Sequence, residues 1–115
     1  RVHVLHARGL RSEDNPYAFV RVRGGYLTES IEVGRTSWRR KTSDPYWDAE
    51  MSCQLSAIPT HLEIHVYDKE KLTSDDPLGA GRVLLRPEMF SAGFAKPVSR
   101  RFICQLVKRH HGAAQ

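Results

Sequence analysis

His61 to Gly81 reads HLEIHVYDKEKLTSDDPLGAG. Leu62, Ile64 and Val66 alternate with Glu63, His65 and Tyr67. A period of two is the pattern of a strand with one buried face. The run then breaks into an acidic loop carrying Asp68, Glu70, Asp75 and Asp76. Pro77 and Gly79 close the loop, and a second apolar run, Val83-Leu84-Leu85, follows. Acids gathered between two strands suit a hard cation, because calcium takes several carboxylate and carbonyl oxygens. The same composition also describes a solvated, turn-rich loop, so the loop alone does not choose.

The flanking sequence extends the strand pattern in both directions. Trp47, Ala49, Met51, Cys53 and Leu55 alternate strictly with Asp48, Glu50, Ser52 and Gln54, which predicts a strand over 47–55. Arg1 to Ala7 and Tyr17 to Arg23 read as strands. In the second, Ala18, Val20 and Val22 fall on one face, and Tyr17, Phe19, Arg21 and Arg23 on the other. Gly24-Gly25 makes a turn. Tyr26 to Lys41 is rich in β-formers, with Gly34 as a bulge or kink, and a strand over Arg35 to Arg40 is predicted. Arg86 to Pro97 is loop-like, with one helical turn near Pro87-Glu88-Met89, and Arg101 to Val107 reads as the last strand. Short strands separated by turn signals, with no long helical pattern, predict an all-β antiparallel Greek-key sandwich. Its predicted core includes Trp47, Met51, Leu62, Ile64, Val66 and Leu84.

A chain of 115 residues, 40% apolar and 27% charged, is one ordinary globular domain. The domain is assigned to 1–107, and 108–115 forms a polar tail. No apolar run approaches the roughly 20 residues of a membrane helix. The chain opens on Arg1 inside a strand-like run, which implies a piece of a longer protein. A net charge of +5 favours anionic partners: acidic lipid headgroups, nucleic acid or acidic protein surfaces. Cys53 and Cys104 lie in apolar runs without metal spacing and read as reduced core residues of an intracellular protein, with a single disulfide between them as the less favoured alternative.

Several short motifs, in order, resemble the calcium- and phospholipid-binding C2 domain family. Leu62-x-Ile64-x-Val66-x-Asp68-x-Glu70, followed by Asp76-x-Leu78-Gly79, is similar to the family's third loop. Ala7-x-x-Leu10 ends the first strand as the family's A-x-x-L does, and Asn15-Pro16-Tyr17 stands where the family has D-P-Y. Thr42-x-Asp44-Pro45-x-Trp47-Asp48 looks like its T-x-N-P-x-W-N. The resemblance covers nearly the whole chain. It implies an eight-stranded or near-eight-stranded sandwich, and the starting strand implies the type II strand order.

The resemblance also implies a calcium site built from the first and third loops. The third loop offers Asp68, Glu70 and Asp76, with Glu70 replacing an aspartate. In the first loop the family's aspartate is Asn15, and Asp14 is an acid off the usual spacing. The expectation is a degenerate site: no cofactor, or calcium bound weakly. Arg35, Ser37 and Arg39 alternate onto one face of their predicted strand. The family's basic groove, which binds phosphoinositide headgroups, maps to this strand and the one carrying Arg21 and Arg23. Tyr17 and Tyr67 match aromatic positions beside it. Phe19 and Val33 stand where lysine-rich members carry lysine. Arginine suits phosphate through its planar bidentate fork.

No P-loop, nucleophile elbow or GxGxxG occurs, so the expectation is a non-catalytic module. His61 and His65 lie roughly 13 Å apart along a strand, too far to share one metal ion directly. His110-His111 falls in the tail. Trp38 beside Arg39, Arg40 and Lys41 suits a base, a lipid interface or the opposing sheet. The resulting expectation is a cytoplasmic, peripheral membrane module that is monomeric as an isolated domain. It would bind anionic phospholipid through the basic sheet face, with weak or absent calcium dependence, and would not bind nucleic acid. The alternative is a calcium-independent protein-docking module of a larger signalling or trafficking protein.

Overall fold

A computed structural model describes residues 1–55, 57–86 and 102–107. The structure is all-β: two antiparallel sheets form a sandwich, with no helix among the described residues. Six strands are described: β1 (Val2–His6), β2 (Pro16–Arg23), β3 (Ile31–Arg35), β4 (Tyr46–Met51), β5 (His61–Asp68) and β6 (Asp76–Leu84). One sheet pairs β1 with β4, and the other runs β3-β2-β5-β6.

The alternation in each strand decides which face is buried. Ala18, Val20 and Val22 of β2 and Val66 of β5 are buried, with Leu62 and Ile64 packed against them. From the other sheet, Val4 and Trp47 are buried, and Ala49 and Met51 pack on the cluster. The Trp47 indole N–H donates to the Pro16 carbonyl at 3.1 Å, a bond that joins the two sheets. Gly34 is small for a reason visible in the packing. A Cβ there would meet the Met51 Cβ at 3.0 Å, so the glycine lets β3 approach the opposite sheet.

Four expectations are corrected. The strand predicted over 47–55 ends at Met51, where its partner β1 begins at Val2 and the ladder runs out. Leu84 is 67% exposed rather than in the core. Its register partner is the outward-facing His61, while the neighbouring Val83 pairs with the inward Leu62. Three consecutive apolar residues carry no phase, and the pairing with β5 supplies it. The strand placed at Arg35 to Arg40 occupies Ile31–Arg35 instead. It stops because the Thr36 hydroxyl accepts the Ala18 N–H at 2.9 Å, and beyond it the ladder with β2 is lost. The strand placed at 101–107 reduces, over 102–107, to one antiparallel bridge between Val107 and Ala80 on the edge of β6. The helical turn near Pro87-Glu88-Met89, Arg101 at the start of the last predicted strand, and the tail 108–115 with His110-His111 lie outside the described residues.

Candidate functional site

Two groups of side chains gather on the four-stranded sheet. The first lies where β2 begins and β5 ends, because the register sets Pro16 opposite Asp68 and Asp68 opposite Asp76. Carboxylate oxygens of Asp68, Glu70 and Asp76 all lie within 4.8 Å of one another. Asp68 is buried, Glu70 is half-buried and Asp76 is exposed. A hydrogen bond to Asp68 and that residue's charge push the Glu70 carboxyl above its ordinary value, with Asp76 and Asp75 adding to the repulsion. Crowded carboxylates of this kind gain from a cation, and the spacing suits calcium–oxygen bonds of about 2.3–2.6 Å.

The first loop contributes less. The Asp14 carboxylate is almost fully buried and is taken by the Arg11 guanidinium, at 3.3 Å from Nε and 3.2 Å from Nη2. Asn15 spends its side-chain carbonyl on the Lys41 amide at 2.9 Å, while its own amide donates to Asp68 Oδ1 at 2.8 Å. Asp75 fastens the third loop from within. It accepts the Tyr17 hydroxyl at 2.7 Å and the Glu70 amide at 2.8 Å. These two bonds hold its carboxyl below the ordinary value, the Glu70 amide contributing more. Burial, then the bond to Asp75 and its charge, push the Tyr17 phenol up to about 12.

The second group covers the outer face of the same sheet. Residues directly opposite on antiparallel strands share a face. One cross-sheet row reads Arg21, Glu63, Arg82, and the next reads Arg23, His61, Leu84. Towards the acidic end lie Phe19 beside His65, then Tyr17 beside Tyr67. Tyr17 stacks on Tyr67 at 5.7 Å between ring centroids, and Tyr67 stacks on His65 at 6.4 Å. Arg35 joins from β3, its guanidinium 5.1 Å from the Phe19 ring centre. Arg21, Arg23, Arg35, Tyr17 and Tyr67 are thus brought onto one face.

Arg39 is not among them. It lies past the end of β3, and its guanidinium donates to the carbonyls of Tyr46 at 3.0 Å and Trp47 at 3.3 Å, at β4. The expectation that Arg35 and Arg39 share a strand face is corrected with the strand itself. Sequence reasoning also passes over Glu63. Its carboxylate hydrogen-bonds Arg21 at 2.7 Å and His65 at 3.3 Å and forms an ion pair with Arg23 at 3.2 Å. Burial alone would raise its carboxyl, but the Arg21 and His65 hydrogen bonds and the two arginine charges outweigh burial and hold it below the ordinary value. A signal exists: Glu63 is the outward residue between Leu62 and Ile64, on a strand beside Arg21 and Arg23.

Comparison with known proteins fits this geometry. The family model of the C2 domain matches residues 1–98. The Arabidopsis thaliana protein C2-DOMAIN ABA-RELATED 8 is 30% identical over 61 residues, 53% of this chain and 37% of that protein. A C2 domain of a plant extended synaptotagmin 1 superposes with a TM-score of 0.58 at 22% identity, over 71% of this chain and 64% of that one. The structure BON1-C2B superposes at 0.59 with 18% identity, over 92% and 81%. At those identities the two structures speak for the fold alone. The chain spans less than two thirds of the curated relative and of the extended synaptotagmin chain. C2 domains generally mediate membrane or protein interaction and are typically non-catalytic. With an antiparallel sandwich, an acidic third loop at the strand ends and a family match over residues 1–98, this chain belongs to the C2 domain family.

Proposed function

We propose that this chain is a peripheral membrane-binding module that attaches to anionic phospholipid through the outer face of the four-stranded sheet, with weak or absent calcium dependence. The observation that carries this reading is the convergence of Arg21, Arg23, Arg35 and Arg82 on that face. Arginine presents phosphate oxygens with a planar set of donors, and the Tyr17–Tyr67 stack gives the headgroup a rigid wall. Two carboxylates offset part of the charge: Glu63 within the face, and Glu32 beside Arg35 at 3.4 Å. At about 1 kcal/mol per net basic residue, the face supplies roughly 2 kcal/mol. Millimolar affinity needs about 4 kcal/mol, so the face steers and a further contact is required.

Asp68, Glu70 and Asp76 would hold calcium if it binds, and the ion would cancel the charge repulsion among them. Arg11 and Lys41 already occupy the groups that the first loop would add. Three carboxylates fit the weak end of calcium sites, since affinity follows ligand charge and rigidity.

The pairing of Glu63 with both Arg21 and Arg23 favours a second reading, a protein-docking face with balanced charge. Co-sedimentation with phosphatidylcholine vesicles, with and without phosphatidylserine, separates the two. Binding is expected only with phosphatidylserine, unchanged by a calcium chelator and weakened by salt. Arg35→Glu with Arg82→Glu, both outside the Glu63 pairs, is expected to abolish it. Equal binding to both vesicle types, or none to either, overturns the membrane reading in favour of docking.

A further inference from the structure

The basic face does not end at its arginines. Its last row, Arg23, His61 and Leu84, borders the end of the sandwich remote from the acidic loops. There Tyr26 is 93% exposed, Leu84 67% and Ile58 48%. Beside Tyr26 and Ile58 opens a cleft of about 440 Å³, lined also by Gly25, Ala57, Pro59, Thr60 and Leu85. None of these residues is charged. The backbone holds this end in place: the Thr60 amide donates to the Arg23 carbonyl at 3.0 Å, and the Leu85 amide to the Thr60 carbonyl at 2.8 Å. Gly24 and Gly25 turn the chain at φ of 89° and 65°, conformations that side chains other than glycine adopt at a cost.

We propose that this remote end, with Tyr26, Ile58 and Leu84 as its apolar contacts, enters the interface of an anionic bilayer while the arginine face lies against the headgroups. The inference rests on the membrane reading above and supplies the contact which that reading lacks. Charge complementarity selects the occupant. Apolar tips contiguous with Arg23 and Arg82 match a surface that is anionic above and apolar below, and a tyrosine at the rim is a favoured interfacial anchor.

The opposite end offers apolar tips too: Leu72, 96% exposed, and Trp38, 45% exposed. Leu72 stands in the loop that carries Glu70, Asp75 and Asp76, where carboxylates crowd one another. Without a bound cation those charges oppose approach to an anionic surface. Among the described residues the remote end carries one exposed carboxylate in its β2–β3 loop, Glu29, and none in the cleft. In the absence of calcium this crowding therefore favours the remote end over the Leu72 loop.

The test uses the 115-residue chain and phosphatidylcholine–phosphatidylserine vesicles with chelator present. Tyr26→Ser with Ile58→Ser is expected to weaken binding at least tenfold, whereas Leu72→Ser leaves it unchanged. Tyr26→Trp supplies a second readout at a position exposed enough to spare folding. Its fluorescence is expected to be quenched by bromine-labelled acyl chains beyond the quenching of the wild type. Wild-type binding that survives the double substitution, or falls with Leu72→Ser instead, overturns this inference and leaves the basic face standing. Failure of the wild type to bind phosphatidylserine vesicles overturns both.

Discussion

Glu63 keeps 14% of its side chain exposed and stands between Arg21 and Arg23, so it controls both the stability and the charge of the basic face. Glu63→Gln should move these two properties in opposite directions. Loss of a charge-assisted acceptor costs about 1–3 kcal/mol, the Arg23 share being reduced by solvent screening. Meanwhile the face gains one net positive charge, worth about 1 kcal/mol, or roughly fivefold, toward anionic vesicles. Urea unfolding and vesicle titration on the same variant check both signs. Binding that falls with stability would mean that Glu63 organises the site rather than limiting its charge. Because the folded carboxyl is held below its ordinary value, its stabilisation is full above about pH 4.3 and is lost as pH falls through the lower folded value. Wild type and variant should therefore converge in acid. Tyr17 behaves in the opposite sense. Its phenol is raised to about 12, so its contribution is full below about pH 10 and disappears between there and the folded value. Tyr17→Phe should cost about 1 kcal/mol at neutral pH through the lost bond to Asp75, and the deficit should shrink above pH 10 in thermal unfolding.

At the scale of elements, Thr36 explains why one strand boundary is not legible in the sequence. The β-rich composition of Tyr26 to Lys41 indicates extended chain, and much of that segment lies along β2. The Thr36 amide donates to the Ala18 carbonyl at 2.8 Å and the Arg39 amide to the Pro16 carbonyl at 2.9 Å. Between them the Thr36 hydroxyl takes the Ala18 N–H that a regular ladder would give to a backbone carbonyl. A side chain replacing one rung of a ladder leaves no periodic trace, so alternation alone puts Arg39 on the wrong face. The strands of Trp47 and of His61 to Asp68 are legible because strict alternation sets their phase locally. Asp68, Glu70 and Asp76 are legible as a group because one loop between two paired strands must bring them together. The diversion of Asp14 and Asn15 is not, because it depends on where Arg11 and Lys41 come to lie. Thr36→Val should leave the Ala18 amide buried and unpaired, costing about 1–3 kcal/mol. Chemical denaturation should show the lower midpoint with an unchanged slope, whereas a change in slope would mean that β3 itself had detached.

Across the whole molecule the sandwich is polarised along its strands. Carboxylates crowd the end where β2 begins, arginines occupy the middle of one face, and uncharged residues line the cleft at the remote end. Calcium would act on the first of these regions alone. With three carboxylates and a first loop already satisfied by Arg11 and Lys41, we expect a calcium dissociation constant no tighter than about 100 µM. Ligand linkage then bounds the response: at about 1 mM calcium the gain in stability is at most about 1.4 kcal/mol. For a domain of this size that is a rise of no more than about 6 °C in Tm. Calorimetric titration should show weak heats that disappear in Asp68→Asn, and vesicle binding through the arginine face should persist in that variant. Low-micromolar binding abolished by Asp68→Asn would mean that Arg11 yields Asp14 to the ion, and that the acidic end is a calcium switch after all. The two remaining regions are tested by salt. Raising ionic strength shortens the screening length from about 10 Å at 0.1 M to about 3 Å at 1 M. It should release a domain held by its arginines, and release it less completely if Tyr26 and Ile58 have entered the bilayer. A residual bound fraction at high salt, absent from Tyr26→Ser with Ile58→Ser, is therefore the expected signature of a module that is steered by charge and held by its apolar end.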